Sequence, residues 1–78
     1  MPRYFFHKCD GETINKDREG RELGSEEVAR NVAIMIARCL ISEDAIRGHV
    51  SLDSSIRVEA EGEHLFTLPF REAVTLTA

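Results

Sequence analysis

Cysteine is scarce. Cys9 and Cys39 are the only two in the chain, too few for a small fold held by disulfides, which needs several closely spaced pairs. Both thiols are therefore expected to be free, in a reducing, cytoplasmic setting. No basic segment leads into an apolar run with a small-residue cleavage site, so no secretory signal is read. Long hydrophobic runs are missing as well. The most apolar stretch, residues 28–41, is interrupted by Arg30, Asn31 and Arg38 and is too short to span a bilayer. The glycines build no phosphate cradle: Gly20 and Gly24 precede a helical pattern without the GxGxxG or GxxxxGKS/T spacing. Positive charge is not in excess either. Ten Lys and Arg against fourteen Asp and Glu leave a formal charge of −4, which argues against a protein that coats nucleic acid or an anionic membrane.

What remains is one small domain over residues 1–78, with 42% hydrophobic and 31% charged content. A chain of this length buries only roughly 60% of the surface exposed on unfolding, so its stability margin is thin. The segment Pro-Arg-Tyr-Phe-Phe-His-Lys at the start is aromatic-rich and predicts a strand over about residues 3–9. Asp10-Gly11 supplies a tight turn, and a returning strand is expected over about 13–16 with Ile14 as its apolar anchor. Residues 17–20 read as a polar turn, and Leu23 tucks under the sheet.

Ser25 is a good N-cap before Glu26 and Glu27, whose charges suit the positive end of a helix dipole. The helix is expected over about 25–47, stopped by Gly48, with Glu26–Arg30 and Glu43–Arg47 as i,i+4 pairs. At 100° per residue, Val28, Ala29, Val32, Ala33, Met35, Ile36, Cys39, Leu40 and Ile46 share an arc of roughly 160°, enough to cover a sheet. On that reading Cys39 is a buried, inert thiol. Ile34 and Ile41 fall together on the far side with Ala37 and Ala45, flanked by Arg30 and Arg38. Residues 55–60 alternate Ile56, Val58 and Ala60 with Arg57 and Glu59, a strand with one wet face. Glu61-Gly62-Glu63 turns the chain into a strand over about 64–68, with Phe66 and Leu68 facing the helix. Pro69 ends pairing, residues 70–74 form a short helical turn, and residues 75–78 are expected to fray.

Two hairpins around a helix predict an α+β fold: ββαββ, a four-stranded antiparallel sheet with one long helix packed on one face. One helix covers only one face, yet consecutive Tyr4, Phe5 and Phe6 put bulk on both.

His7 and Cys9 share a strand face beside Asp10, and His49 or His64 would be needed to complete a zinc set. Without CxxC or HxxxH the reading is that His7 is a strand residue at a hydrogen-bonding edge and no metal is bound. A thiol nucleophile needs a lowered pKa, an orienting group and an oxyanion site, none of which is signalled. No catalytic, metal or cofactor-binding residue is therefore assigned, and no enzyme activity or cofactor is expected. Arg3, Lys8, Tyr4 and Phe6 could make a sheet surface on which single-stranded nucleic acid stacks. Against this, Lys16, Arg18 and Arg21 alternate with Asp17, Glu19 and Glu22. The expected role is a non-enzymatic protein-interaction module that forms a homodimer, with single-stranded nucleic acid on the open sheet face as the alternative. The interface residues expected are Ile34 and Ile41 with Arg30 and Arg38 at the rim, then Tyr4 and Phe6.

The opening Pro2-Arg3-Tyr4-Phe5-Phe6-His7, followed by Asp10-Gly11, resembles an uncharacterised family of short bacterial proteins, mostly alphaproteobacterial. Members open with this string and continue with a D-x-E-G-x-E-L segment, here Asp17, Glu19, Gly20, Glu22 and Leu23. An Ala-Arg pair early in the helix, like Ala29-Arg30, follows, and a strand closes on Leu68-Pro69-Phe70. The resemblance spans nearly the whole chain. It implies the same architecture and carries over no activity and no site residues. One departure is Lys8, which stands where members often have an aliphatic residue.

Overall fold

A computed structural model describes residues 2–74. Strand β1 (Arg3–Asp10) turns at Gly11 into β2 (Thr13–Asn15). The short β3 (Arg21–Glu22) follows, then helix α1 (Glu26–Ile46), β4 (Ser55–Ala60) and β5 (Glu63–Pro69), and a 3₁₀ turn at Phe70–Glu72 closes the described chain. The order across the sheet is β2-β1-β4-β5, all antiparallel, with β3 also pairing to β1. The expected α+β fold is found. Its one addition is β3, which pairs Arg3 with Glu22 and Tyr4 with Arg21. The two-residue strand lies in a charged stretch that lacks the apolar–polar alternation by which a strand is read. The expected fraying of residues 75–78 lies outside the described residues.

Register fixes the two faces. Tyr4 pairs with Ala60, Phe6 with Val58 and Lys8 with Ile56, while Ile56 pairs onward with Leu68 and Val58 with Phe66. Side chains alternate across a strand, so these residues share the face beneath α1, and Tyr4, Phe6, Ala60, Val58, Ile56 and Leu68 are buried there. A bulge between Val58 and Glu59 lets β5 return past Leu65. Phe70, 1% exposed, plugs one end of this layer, its N–H bonded to the Ser54 carbonyl at 2.9 Å. Truncating a fully buried Ile56 or Phe70 to Ala in such a core costs about 2–5 kcal/mol.

Helix α1 begins where expected, with Ser25 Oγ accepting from the Val28 N–H at 3.3 Å. It ends at Gly48, whose φ of +81° takes the left-handed position. Its phase differs from the expectation. The fully buried seam is Ala29, Ala33 and Ala37, with Val32, Ile36 and Leu40 half-buried on one flank and Ile34 and Ile41 half-buried on the other. The sheet face already carries large side chains, so the closest helix approach falls on the alanines and the bulky aliphatics straddle the contact line. Ile34 and Ile41 are thus packed against the core and form no rear patch. Val28, Met35, Cys39 and Ile46 are exposed instead, which corrects the expected buried position of Cys39.

The arginines follow the same rotation. Arg30 lies 4.2 Å from the centroid of the Phe66 ring, a cation–π contact. The Arg38 Nε–H donates to the Ala73 carbonyl at 2.6 Å and ties the 3₁₀ turn to the helix. Neither expected i,i+4 ion pair is among the ion pairs of the described residues. Arg30 spends its charge on an aromatic face.

Candidate functional site

The open face of the sheet is built from the other alternation: Phe5, His7 and Cys9 of β1 beside Arg57 and Glu59 of β4. Here Phe5, His7, Ile14, Lys16, Arg57, Glu59 and Gly62 line a shallow depression of about 440 Å³. Ile14 is half-exposed on this face and paired with Cys9, so it does not anchor the core as expected. Tyr4 and Phe6, 5% and 7% exposed, lie under the helix and offer no surface to a partner. Phe5 is the aromatic left on the open side.

The centre of this face is a hydrogen-bond network around His7, which is 8% exposed. Its Nδ1 accepts from the Asp17 N–H at 3.0 Å, and its Nε2 lies 3.0 Å from Glu59 Oε1. A nitrogen that accepts from a backbone amide carries no proton, so the network places the ring proton on Nε2, donating to Glu59. The expected edge position holds locally: β1 is an interior strand, but on the side away from β4 its residues 5–7 pair with neither β2 nor β3, and the connection between those strands supplies the bond to His7. Asp17 then acts as an acceptor hub. Its Oδ2 takes the Phe6 N–H at 3.1 Å, and its Oδ1 takes those of Glu19 at 3.2 Å and Gly20 at 3.1 Å.

The connection between β2 and β3 is pinned further along its length. Arg3 Nη1 donates to the Glu19 carbonyl at 2.7 Å and Arg3 pairs with Glu22 at 3.5 Å. The Leu23 N–H reaches the Pro2 carbonyl at 3.2 Å. Gly20 adopts φ +69°, and a Cβ there would stand 2.9 Å from Arg3 Cγ, Phe5 Cε2 and the Tyr4 carbonyl oxygen. Only glycine fits. The two sequence strings that stand apart in the chain, residues 2–7 and 17–23, thus meet as one unit.

The carboxylates respond to these contacts. Burial pushes Asp17 up, but the N–H groups of Gly20, Phe6 and Glu19 and the nearby His7 outweigh it and hold the carboxyl below its ordinary value. The bond from His7 is the chief reason Glu59 is held low, opposed by desolvation and aided by Arg57 and Lys16. Asp10 is held low by the Ser54 hydroxyl, against burial and with help from Lys8. Lys8, 3.3 Å from Asp10, stands at the half-open end of the helix-facing layer.

Both ring nitrogens of His7 are engaged, and no three His, Cys, Asp or Glu side chains converge among the described residues. His7 and Cys9 share the open face as read from the sequence, while Cys39 sits on the far side of the helix. A second surface feature is a groove of about 260 Å³ on the outer flank of α1, lined by Arg21, Val32, Met35, Ile36, Cys39 and Leu40. Val28 and Ile46, seven residues before Met35 and seven after Cys39 on the same helix, are exposed. No helix among the described residues is long and apolar enough to cross a membrane.

The molecule is thus a small open-faced α+β domain whose most elaborate polar network fastens its own chain. It belongs to the family defined by a domain of unknown function (DUF6894), whose family model matches residues 3–71. No curated protein and no solved structure matches the chain.

Proposed function

We propose that this domain is a protein-interaction module that self-associates through the outer face of α1. The observation that carries the reading is the apolar stripe left on that face: Met35 is 64% exposed and Ile46 84% exposed, with Val28 and Cys39 between and beside them. Exposed aliphatics scattered singly are ordinary, but these fall on one side of one helix and border an apolar groove. A helix of 21 residues is roughly 30 Å long, enough for an antiparallel pairing with a second copy. A stable interface buries about 800 Å² per partner, about one-seventh of the 5502 Å² surface of this chain. A two-fold contact is the simplest way to cover such a stripe.

Sedimentation equilibrium at micromolar concentration tests the reading. A mass near twice 8.8 kDa is expected, returning to the monomer in Met35→Glu with an unchanged far-UV spectrum. A wild-type monomer across the concentration range refutes it. Ile34→Glu, by contrast, places a charge against the core and should unfold the domain.

One observation favours a second reading, single-stranded nucleic acid on the sheet. Phe5 lies on the open face with Lys16 and Arg57 lining the same depression, the combination of stacking platform and cations that such binders use. Glu59 in the same depression and the net charge of −4 oppose it. Binding of a labelled oligonucleotide that weakens with salt and with Phe5→Ala would favour this reading over the first.

A further inference from the structure

We propose that His7 is a pH-sensitive latch that holds residues 16–20 along the edge of β1, in the gap between β2 and β3, and releases them when its ring is protonated. The neutral ring fits its surroundings in one tautomer only. Nε2–H donates to Glu59 and bare Nδ1 accepts the Asp17 amide. A second proton enters at Nδ1, where the Asp17 N–H already points, and two donors then face each other across 3.0 Å. The amide bond must break. Imidazole is the side chain that gains and loses a proton most readily in the range a cell can reach.

The groups facing the ring come from every element around it. Glu59 and Arg57 stand on β4, Phe5 neighbours it on β1 with ring centroids 6.5 Å apart, and Lys16 and the Asp17 carboxylate come from the connection. Glu59 and Asp17 favour the imidazolium, whereas Lys16 and Arg57 oppose it. The charged ring stays beside Glu59, and the Asp17 backbone turns away.

The consequence reaches beyond His7 because residues 16–20 form a wall. On their inner side lies a cavity of about 440 Å³ whose lining includes Phe6, Ile36, Leu40 and Ile56 from the core and Asp17, Glu19 and Gly20 from the connection. Loosening that wall opens apolar core surface next to the outer groove of α1. The latch therefore couples proton binding on one sheet face to exposure on the helix side. It does not depend on self-association.

The test is NMR of the full chain from pH 8 to pH 5. At high pH the His7 ring should carry its proton on Nε2, and the Asp17 amide should be protected from exchange. Through the His7 titration the Asp17 protection factor should fall about tenfold, the scale of one hydrogen bond, while the Val58 amide in β4 stays protected. In His7→Gln the pH-dependent change at Asp17 should vanish. Should that variant not fold, the wild-type titration decides alone. A ring proton on Nδ1, or Asp17 protection that is flat while His7 titrates, overturns the proposal.

Discussion

Gly20→Ala isolates the claim that the connection between β2 and β3 is moulded onto β1. Two penalties act at this position. Holding an L residue in the left-handed region costs about 1–2 kcal/mol. The new methyl also meets three atoms at 2.9 Å, and one of them, the Tyr4 carbonyl oxygen, belongs to an interior strand that cannot shift without disturbing the ladder to β4. Overpacking of this kind costs about 1–3 kcal/mol. The stiffer unfolded chain returns about 0.4–1 kcal/mol, which leaves a net loss of about 2–4 kcal/mol. A domain of 78 residues has a total stability of about 4–12 kcal/mol, so the loss is a large share, equivalent to a fall in melting temperature of roughly 8–30 °C. Gly11 is the internal control. Its φ is +59° and a methyl group there would meet no atom within 4 Å, so Gly11→Ala carries the backbone penalty alone and should cost about 1 kcal/mol. Urea denaturation of the two variants side by side separates the effects. If Gly20→Ala proves no more destabilising than Gly11→Ala to within about 0.5 kcal/mol, the close packing of the connection on β1 is wrong.

Asp17→Ala removes the acceptor of three backbone N–H groups and should cost about 2–3 kcal/mol in urea denaturation; Asp17→Asn, which keeps one carbonyl oxygen, should cost less, and equal losses would contradict the hub geometry. Glu61 occupies the first position of the β4–β5 turn with φ +53°, so Glu61→Asn should raise stability by about 0.5–1 kcal/mol, and a loss on the same measurement would argue against this turn. Asp10, Asp17 and Glu59 are all held below their ordinary values of 3.8, 3.8 and 4.5. The unfolded chain therefore takes up protons first on acidification, and the stability these groups give is present above about pH 4.5 and lost as pH falls further. Thermal melts between pH 6 and pH 3 should show a declining midpoint, and a flat or rising midpoint would contradict the direction of all three shifts.

Much of the fold is legible locally. The alternation in residues 55–60, the Ser25 cap and the Gly48 stop each record a backbone geometry that a few adjacent residues determine, and each is found. The phase of the helix is a different kind of quantity. Counting apolar residues weights Val28, Met35 and Ile46 as strongly as Ala33, yet what faces a sheet already filled by Tyr4, Phe6, Ile56 and Leu68 is decided by how closely the two backbones can approach. Small residues win that contest, and the surplus aliphatics are displaced outward. The inference that one helix leaves apolar surface uncovered therefore survives, while its location moves from Ile34 and Ile41 to Val28, Met35, Cys39 and Ile46. The arginines moved with it, since Arg30 and Arg38 rim the buried flank and bond to Phe66 and Ala73.

The network on the open face was hidden for a stricter reason. Residues 3–9 read as a strand and residues 17–20 as a polar turn, and both readings hold, but nothing in either records that the turn packs along the edge of the strand. The usable signals were indirect: an Asp three residues before a Gly, where a carboxylate can cap the turn it opens, and a His on the strand with no evident partner. Once the two segments meet, the chemistry open to His7 narrows sharply. A histidine beside a cysteine on one strand face suggests a metal ligand or a base, and either role needs a nitrogen lone pair free to give. In the neutral ring only Nδ1 has one, and the Asp17 amide already occupies it. Any activity assigned to His7 must therefore first detach residues 16–20, so chemistry and conformation at this site are one equilibrium.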